Sequence, residues 1–316
     1  MIINPARAEA AFYAFDFSFK KGLQSINPLW GAVAEERSSA TTEQRYLWMA
    51  SITGPREWAQ GTDRVYNNLV GREYTIINKH WENSVEVGGD TINDDQYGLY
   101  TDTMRQLGVN AAAQPDQLVW GVVEACVSTI RGYDNVVFFS DAHPVSPSNP
   151  GLGTYSNLFS SATSGATPLN AANFASARAQ LQSRKLENGL PLALGEITLT
   201  VPPQLRTAAE QILNLGMFAP ATAYGAVAAQ ASDNALKGAA KIVVCPYLTS
   251  ATRWYLTVEL AGQKPFIFQN RQPWKFVPKV SPTDANVFNL NVLRYGADGR
   301  NNAGVSFPQL AVACDI

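Results

Sequence analysis

Hydrophobic and polar positions alternate weakly from residue 57 to residue 89, a spacing that predicts β-strands exposed on one or both faces. In this stretch Tyr74, Ile76 and Val85 are interleaved with polar residues, and a glycine pair closes it. We therefore predict a long β-hairpin over residues 57–89. A polar hairpin buries too little apolar surface to be stable alone in water, so another part of the protein or a second copy must pack against it.

Aromatic residues crowd the N-terminal segment, which has no core of its own to bury them. Phe15, Phe17 and Phe19 follow one another at short spacing, and Pro28 interrupts the segment. We predict an extended arm over residues 1–45, whose aromatic side chains dock on another surface. That surface belongs either to the same subunit or to a neighbouring one, and the sequence leaves both alternatives open.

Two helices are predicted after the hairpin. Asp94 and Asp95 supply the capping and first-turn carboxylates that the positive end of a helix dipole favours. Apolar residues then recur at spacings of three and four to about Ala113, which gives the helix one apolar face. Pro115 stands where a second helix would begin, because its missing N–H costs nothing in a first turn. We expect this second helix to end near Gly132.

The rest of the chain mixes further helices and strands. We predict a strand at Val136–Phe139, an irregular loop after it, a helix in AANFASARAQLQSRK, and a strand followed by a helix in EITLTVPPQLRTAAEQILN. Three strands are predicted in GAAKIVVCPYL, RWYLTVE and PFIFQNR, and two or three more close the chain, the middle one alternating at Val287, Leu290, Val292 and Leu293. The glycine-rich RYGADGRNNAG is predicted to be a solvent loop. Strands from distant parts of the sequence indicate an α+β fold.

Composition favours a protein with extensive protein–protein contacts. Of 316 residues, 46% are hydrophobic and only 16% are charged, against about a quarter charged in ordinary globular proteins. The net charge of −2 argues against strong nucleic-acid binding, which needs clustered Lys and Arg. The N-terminus lacks the pattern of a signal peptide, and no apolar run approaches the roughly 20 residues that span a bilayer. We therefore expect synthesis in a cytoplasm and no membrane partner.

Residue patterns that carry chemistry are scarce. His143 and Asp141 could belong to a metal site or a Ser–His–Asp set, but a zinc site needs three or four ligands and no G-x-S-x-G motif occurs. We interpret His143 as a loop histidine beside a capping aspartate. Asp94 and Asp95 would point about 100° apart on a helix, so they do not form an acid–base pair. The three cysteines lie in apolar runs and are expected to be buried thiols. We predict no catalytic residue, no metal and no cofactor.

Several ordered sequence blocks carry a family resemblance. They are ITGPREW, REYTIINKHWENSVEV, INDDQYGLY, AAAQPDQLVW, FFSDAHP and KPFIFQNR. With the order arm, hairpin, amphipathic helix and helix-plus-sheet body, the chain resembles the Hong Kong 97-type phage capsid fold. It resembles most closely the major head subunits gpT of Mu-like phages and prophages, across nearly its whole length.

The resemblance implies a domain layout. Residues 1–45 would form the N-terminal arm and residues 57–89 the extended loop that overlies a neighbouring subunit. A peripheral domain with a long spine helix would combine residues 46–56, 90–133 and 276–316. An axial domain, which gathers around five-fold and six-fold axes, would span residues 134–275.

The resemblance also implies a function. It predicts a major capsid protein that self-assembles, as hexamers and pentamers, into an icosahedral head shell around phage double-stranded DNA. The protein would lie in the virion after assembly in the bacterial host cytoplasm, with a separate scaffold and maturation protease, a portal and decoration proteins as partners, and with non-specific DNA contact on its inner face. The expected intersubunit contacts are Phe15, Phe19, Trp58, Arg72 and Trp81.

Two alternatives stay open. An encapsulin-like shell of the same fold would enclose cargo enzyme instead of DNA, and it would not depend on portal or packaging partners. An enzyme such as a hydrolase with a site around His143 and Asp141 is the second alternative, and the absence of a convergent catalytic set argues against it.

Overall fold

The structure is a computed structural model, and it describes residues 5–49, 57–58, 63, 71–93, 98–146, 150–159, 168–185, 195–218, 232–260 and 262–314. The α-helices are α1 Pro5–Leu23, α2 Gly89–Asn93, α3 Leu99–Ala125, α4 Ala171–Gln182, α5 Arg206–Leu213 and α6 Ala285–Leu290. The strands are β1 Ala34–Ser38, β2 Glu43–Met49, β3 Gly71–Ile77, β4 Lys79–Gly88, β5 His143–Pro144, β6 Thr154–Tyr155, β7 Leu158–Phe159, β8 Ile197–Val201, β9 Met217–Phe218, β10 Ser232–Asp233, β11 Lys241–Val244, β12 Trp254–Val258, β13 Phe266–Lys279, β14 Val292–Val305 and β15 Ala311–Cys314. Helices and strands of this mixed order make an α+β fold, as predicted.

The N-terminal segment is a helix that packs on its own subunit, so the prediction of an extended arm is wrong for α1. Its aromatic residues Phe12, Phe15 and Phe19 recur at spacings of three and four, which places them on one helix face. Phe15 is 5% exposed and Phe19 is 1% exposed, both in a core shared with α3 and β14. The interpretation failed because it took the aromatics as isolated anchors and not as a helical stripe.

α1 and α3 approach each other through two glycines. A Cβ built on Gly108 would lie 2.9 Å from the backbone nitrogen of Leu23, and closer still to the carbonyl oxygen of Phe19. A Cβ built on Gly22 would overlap the carbonyl oxygen of Arg105. Glycine at both positions therefore allows the two backbones to come into contact.

α3 is one helix of 27 residues, and Pro115 lies inside it. The prediction of two helices, the second beginning at Pro115, is therefore wrong. Proline removes one intrahelical hydrogen bond at a usual cost of about 3 kcal/mol, but the flanking turns are anchored by the buried side chains of Ala111 and Val119. Burial on both sides of the proline outweighs the local preference for a break. The predicted caps Asp94 and Asp95 lie outside the described residues.

The predicted hairpin is divided between two sheets. β3 and β4 are separated only by Asn78, yet β3 pairs antiparallel with β2, and β4 pairs antiparallel with β14. β4 thereby forms the edge of a four-stranded sheet of order β1-β13-β14-β4. The strands predicted at β3 and β4 are confirmed, whereas the first half of the predicted hairpin lies, apart from residues 57, 58 and 63, outside the described residues. Alternation identifies a strand without identifying its partner.

A five-stranded sheet of order β11-β8-β12-β15-β7 lies between helices. On one face Leu256 packs in a cluster with α4 and α5, and on the other its neighbour Tyr255 packs in a cluster with α3. The predicted helix in α4 and the predicted strand and helix of β8 and α5 are confirmed. The last strand, β15, belongs to this sheet, so the C-terminal strands do not all return to the sheet beside α3. β13 crosses the predicted boundary between residues 275 and 276.

Three further predictions are wrong. Residues 136–139 do not form a strand, apart from a single bridge between Arg131 and Val137, although Phe138 and Phe139 are buried. Val287 and Leu290 lie in α6, and RYGADGRNNAG is the middle of β14. Glycine inside a strand marks close approach of a neighbour; a Cβ built on Gly299 would lie 3.1 Å from the Trp274 ring.

None of the helices that the structure describes combines the length and apolarity required to cross a membrane. The three cysteines are free and buried, as predicted. Burial raises the pKa of the Cys245 thiol to about 12 and that of the Cys126 thiol well above its usual value.

Candidate assembly surfaces

A two-stranded ribbon, β2 with β3, carries exposed side chains on both of its strands. Its antiparallel register runs from Glu43 opposite Ile77 to Met49 opposite Gly71. Among the described strands, no third strand pairs with this ribbon through its backbone. We call this element the assembly ribbon.

The inner face of the assembly ribbon is fixed to the four-stranded sheet. Ile76 is 3% exposed and packs against Ile267 of β13. The Tyr46 hydroxyl donates a hydrogen bond of 2.8 Å to the Gln269 side chain, and burial raises the pKa of Tyr46 to about 12. A Cβ built on Gly304 would lie 2.5 Å from Ile76 Cδ1. The part of the ribbon around Tyr46 and Ile76, which we call the ribbon root, is therefore held in one position. A close contact with Gly304 and a partly buried hydrogen bond to Gln269 hold it there.

The outer face of the assembly ribbon is open and partly apolar. Leu47 is 58% exposed and Ile77 is 57% exposed. Between them Arg45 forms ion pairs with Glu43 at 3.4 Å and with Glu73 at 3.6 Å. Exposed ion pairs contribute little to stability, so this face is better suited to contacting another surface than to stabilising its own subunit.

The five predicted contact residues do not lie on one surface. Phe15 and Phe19 belong to the core of their own subunit, which corrects their assignment as intersubunit contacts. Trp58 is 62% exposed. Arg72 lies in β3 opposite Trp48 of β2. Trp81 is half-buried in β4 at the sheet edge. The structure therefore leaves Trp58, Arg72 and Trp81 as candidates.

Trp81 is held by a network of hydrogen bonds that includes Gln114, the residue before Pro115 in α3. Its Nε1 donates to the carbonyl oxygen of Asn301 at 3.2 Å. The Asn301 and Gln114 side-chain amides exchange two hydrogen bonds of 3.0 Å, and Trp274 Nε1 donates to Gln114 Oε1 at 3.4 Å. This network connects α3, β4, β13 and β14, so Trp81 has a structural role even before any partner is considered.

Several exposed apolar side chains were given no role from the sequence. They include Leu47 and Ile77 of the ribbon, Tyr13 of α1, and Phe288 of α6, which is 82% exposed. Phe17 of α1, which was expected to dock on another surface, is also exposed. For the ribbon, alternation could have identified them, because Leu47 and Ile77 alternate with the half-buried Tyr46 and the buried Ile76. For α1 the signal was the second aromatic stripe, opposite the buried one.

His143 is fully buried, which is incompatible with an open catalytic site. Its Nδ1 lies 2.6 Å from Asp134 Oδ2, and its Nε2 lies 3.0 Å from the Phe138 carbonyl oxygen. Asp141 is exposed, and the partner of the histidine is Asp134. The histidine ring connects two loop segments. Within the described ranges, no three His, Cys, Asp or Glu side chains are grouped to hold a metal ion.

Comparison with known proteins points in one direction. The chain matches the family model described as Mu-like prophage major head subunit gpT over residues 8–168, 158–248 and 249–315. It is 32% identical to the Mu-like prophage FluMu major head subunit of Haemophilus influenzae over 171 residues, which is 54% of each chain. It is 29% identical to the major capsid protein of Escherichia phage Mu over 162 residues, half of each chain. The chain spans about half the length of the curated relatives it matches.

Solved structures share the fold. A chain of the bacteriophage JBD30 procapsid is 25% identical, with a TM-score of 0.56, and the match covers 98% of this chain and 75% of that chain. A capsid chain of cyanophage P-SCSP1u is 12% identical with a TM-score of 0.57, over 90% of this chain and 86% of that chain. A virus-like particle from Pyrococcus furiosus matches with 11% identity and a TM-score of 0.54, over 95% of this chain and 96% of that chain. The last two likenesses concern the fold alone.

Proposed function

This chain belongs to the family of Mu-like prophage major head subunits gpT, and from that premise we propose that it is a shell-forming capsid protein. Many copies assemble, as hexamers and pentamers, into an icosahedral head that encloses phage double-stranded DNA. The protein acts in the virion and is assembled in the cytoplasm of the bacterial host. Its role is structural, through contacts between subunits.

The outer face of the assembly ribbon is the observation that supports this proposal most strongly. Leu47 and Ile77 expose more than half of their surface, although the root beneath them is rigidly packed. Exposed apolar side chains interspersed with charged ones make a surface of the mixed kind found in protein–protein interfaces. In a closed shell each copy both covers a neighbour's surface and has its own surface covered, so many modest contacts add up.

Other partners follow from the family alone. We propose that a separate scaffold and maturation protease guide assembly, and that portal and decoration proteins join the shell. Contact with packaged DNA on the inner face is non-specific. This agrees with the net charge of −2 and with a sequence in which Lys and Arg do not form a continuous basic stripe. Trp58, Arg72 and Trp81 remain proposed intersubunit contacts.

The test places charge on the ribbon's outer face. The double variant Leu47→Asp with Ile77→Asp should fold as well as the parent, because both side chains are exposed, and should form few or no shells. Leu47→Met with Ile77→Val is the matched control, which keeps the surface apolar and should assemble normally. Sedimentation velocity and negative-stain electron microscopy measure the shell fraction, and circular dichroism checks folding. Normal shells from the aspartate variant would contradict the role assigned to the ribbon.

A further inference from the structure

A buried guanidinium lies at the C-terminal end of α4, where the fold alone does not require a cation. Arg184 is 5% exposed. Its Nη1 donates to the carbonyl oxygens of Gln309 at 2.6 Å and Ala311 at 3.0 Å, and its Nη2 donates to that of Ser156 at 3.1 Å. The guanidinium carbon lies 5.3 Å from the centre of the Tyr155 ring. Two chain segments, residues 155–156 and 309–311, therefore hold this cation in one orientation.

Among the residues that the structure describes, the charge of Arg184 has no anionic partner. In the part of the chain that the structure describes, no carboxylate forms an ion pair with Arg184 or with its exposed neighbour Lys185. The nearby carboxylate of Asp134 is already bound to His143 at 2.6 Å. Burial is the main reason that the pKa of Arg184 falls to about 10. A buried charge without a counter-ion is costly, so an anion at this place would be bound favourably.

A cavity of about 460 Å³ opens beside the two cations. Arg184 and Lys185 line it together with Thr154, Tyr155 and Ser183. Arg184 Nε and the Tyr155 hydroxyl are buried and have no hydrogen-bond partner. The cavity is thus lined by two cationic residues, and a volume of this size admits a small ligand.

We propose that this cavity is a binding site for a small oxyanion, a carboxylate or a phosphate, which pairs with Arg184 and Lys185. Oxyanions accept the charge-assisted hydrogen bonds that guanidinium and ammonium groups donate. The anion comes either from solution, as free phosphate, or from an acidic side chain of a second copy of this chain. In both cases the same donors bind it.

Calorimetric titration of the unassembled full-length chain with inorganic phosphate tests the site. Saturable binding of one phosphate per chain is expected, weakened about tenfold in Lys185→Gln, because one charge-assisted hydrogen bond is lost. Tyr155→Phe should weaken binding severalfold without removing a charge. Lys237→Gln removes an exposed lysine outside the cavity and should leave the affinity unchanged. The absence of saturable binding, or equal affinities in Lys185→Gln and Lys237→Gln, would overturn the proposal and leave Arg184 as a structural cross-link only.

The two sources of the anion are separated by repeating the titration on assembled shells. Phosphate bound equally well by shells and by unassembled subunits identifies a free anion. Phosphate bound by unassembled subunits alone identifies a neighbour's carboxylate that fills the cavity on assembly. Both outcomes support an oxyanion site. This test does not depend on shell function, since its first part is carried out on the unassembled chain.

Discussion

Replacing Gly108 with alanine tests the close contact between α1 and α3. Gly108 lies in the middle of α3, and the added Cβ would overlap the carbonyl oxygen of Phe19 and lie 2.9 Å from the nitrogen of Leu23. Both neighbours are backbone atoms, so relief requires α1 to shift as a whole. Overpacking of this kind costs about 1–3 kcal/mol.

The helix propensity of alanine works in the opposite direction. Alanine is more favourable than glycine by about 1 kcal/mol inside a helix. Since the obstructing atoms belong to the backbone, the overpacking cost lies at the upper end of its range. The net loss in the free energy of unfolding for Gly108→Ala is therefore about 2 kcal/mol. Gly121 lies in the same helix with nothing within 4 Å of a built Cβ, so Gly121→Ala should gain about 1 kcal/mol.

The opposite signs of the two variants make the test decisive. Urea unfolding of the unassembled chain, followed by circular dichroism, gives the free energy of unfolding for each. Gly108→Ala should be less stable than the parent and Gly121→Ala more stable. If both variants gain stability, α1 does not pack on α3 as described, and the N-terminal segment would not be a docked helix.

Three further outcomes are expected. Asp116 accepts hydrogen bonds from the backbone nitrogens of Leu29 at 3.0 Å and Trp30 at 2.6 Å. Asp116→Ala leaves two donors unpaired and should lower the free energy of unfolding, measured in urea, by about 2–4 kcal/mol. A loss under about 1 kcal/mol would contradict these bonds. Gly304→Ala should loosen the ribbon root against Ile76 and speed proteolytic cleavage within the ribbon, whereas an unchanged cleavage rate would show that the root is not closely packed. Burial raises the pKa of all three cysteine thiols. They should therefore stay protonated and unreactive toward a disulfide reagent at pH 8, and all three should react after unfolding. A thiol that reacts quickly in the native protein would contradict its burial.

Local patterns predicted the elements whose structure depends on nearby residues. The helix α4 and the unit of β8 and α5 were predicted because amphipathic spacing and proline punctuation suffice there. The partner of a strand is a distant residue, so the alternation around Tyr74 and Val85 indicated strands and could not show that they lie in different sheets. Pro115 was misjudged for a related reason: local cost favours a helix end, and burial by distant residues outweighs it.

The sequence could not predict the glycine contacts or the exposed side chains of the candidate assembly surfaces. In β14 the glycines follow from close neighbours such as Trp274, which the sequence does not place beside them, so a strand was taken for a loop. The exposure of Leu47 and Ile77 depends on the ribbon's register and on what covers its other face. Phe15 and Phe19 were expected to meet a neighbour, and the helical spacing that buries them in their own subunit was overlooked.

The central claim is that copies of this chain form a shell in which the assembly ribbon contacts a neighbouring copy. An electron cryomicroscopy reconstruction of particles formed by this chain, expressed together with the proposed scaffold and maturation protease, tests this most directly. We predict closed icosahedral shells in which the outer face of the ribbon, at Leu47 and Ile77, is covered by a second copy. Particles in which that face is open to solvent, or a chain that forms no shell under these conditions, would contradict the account.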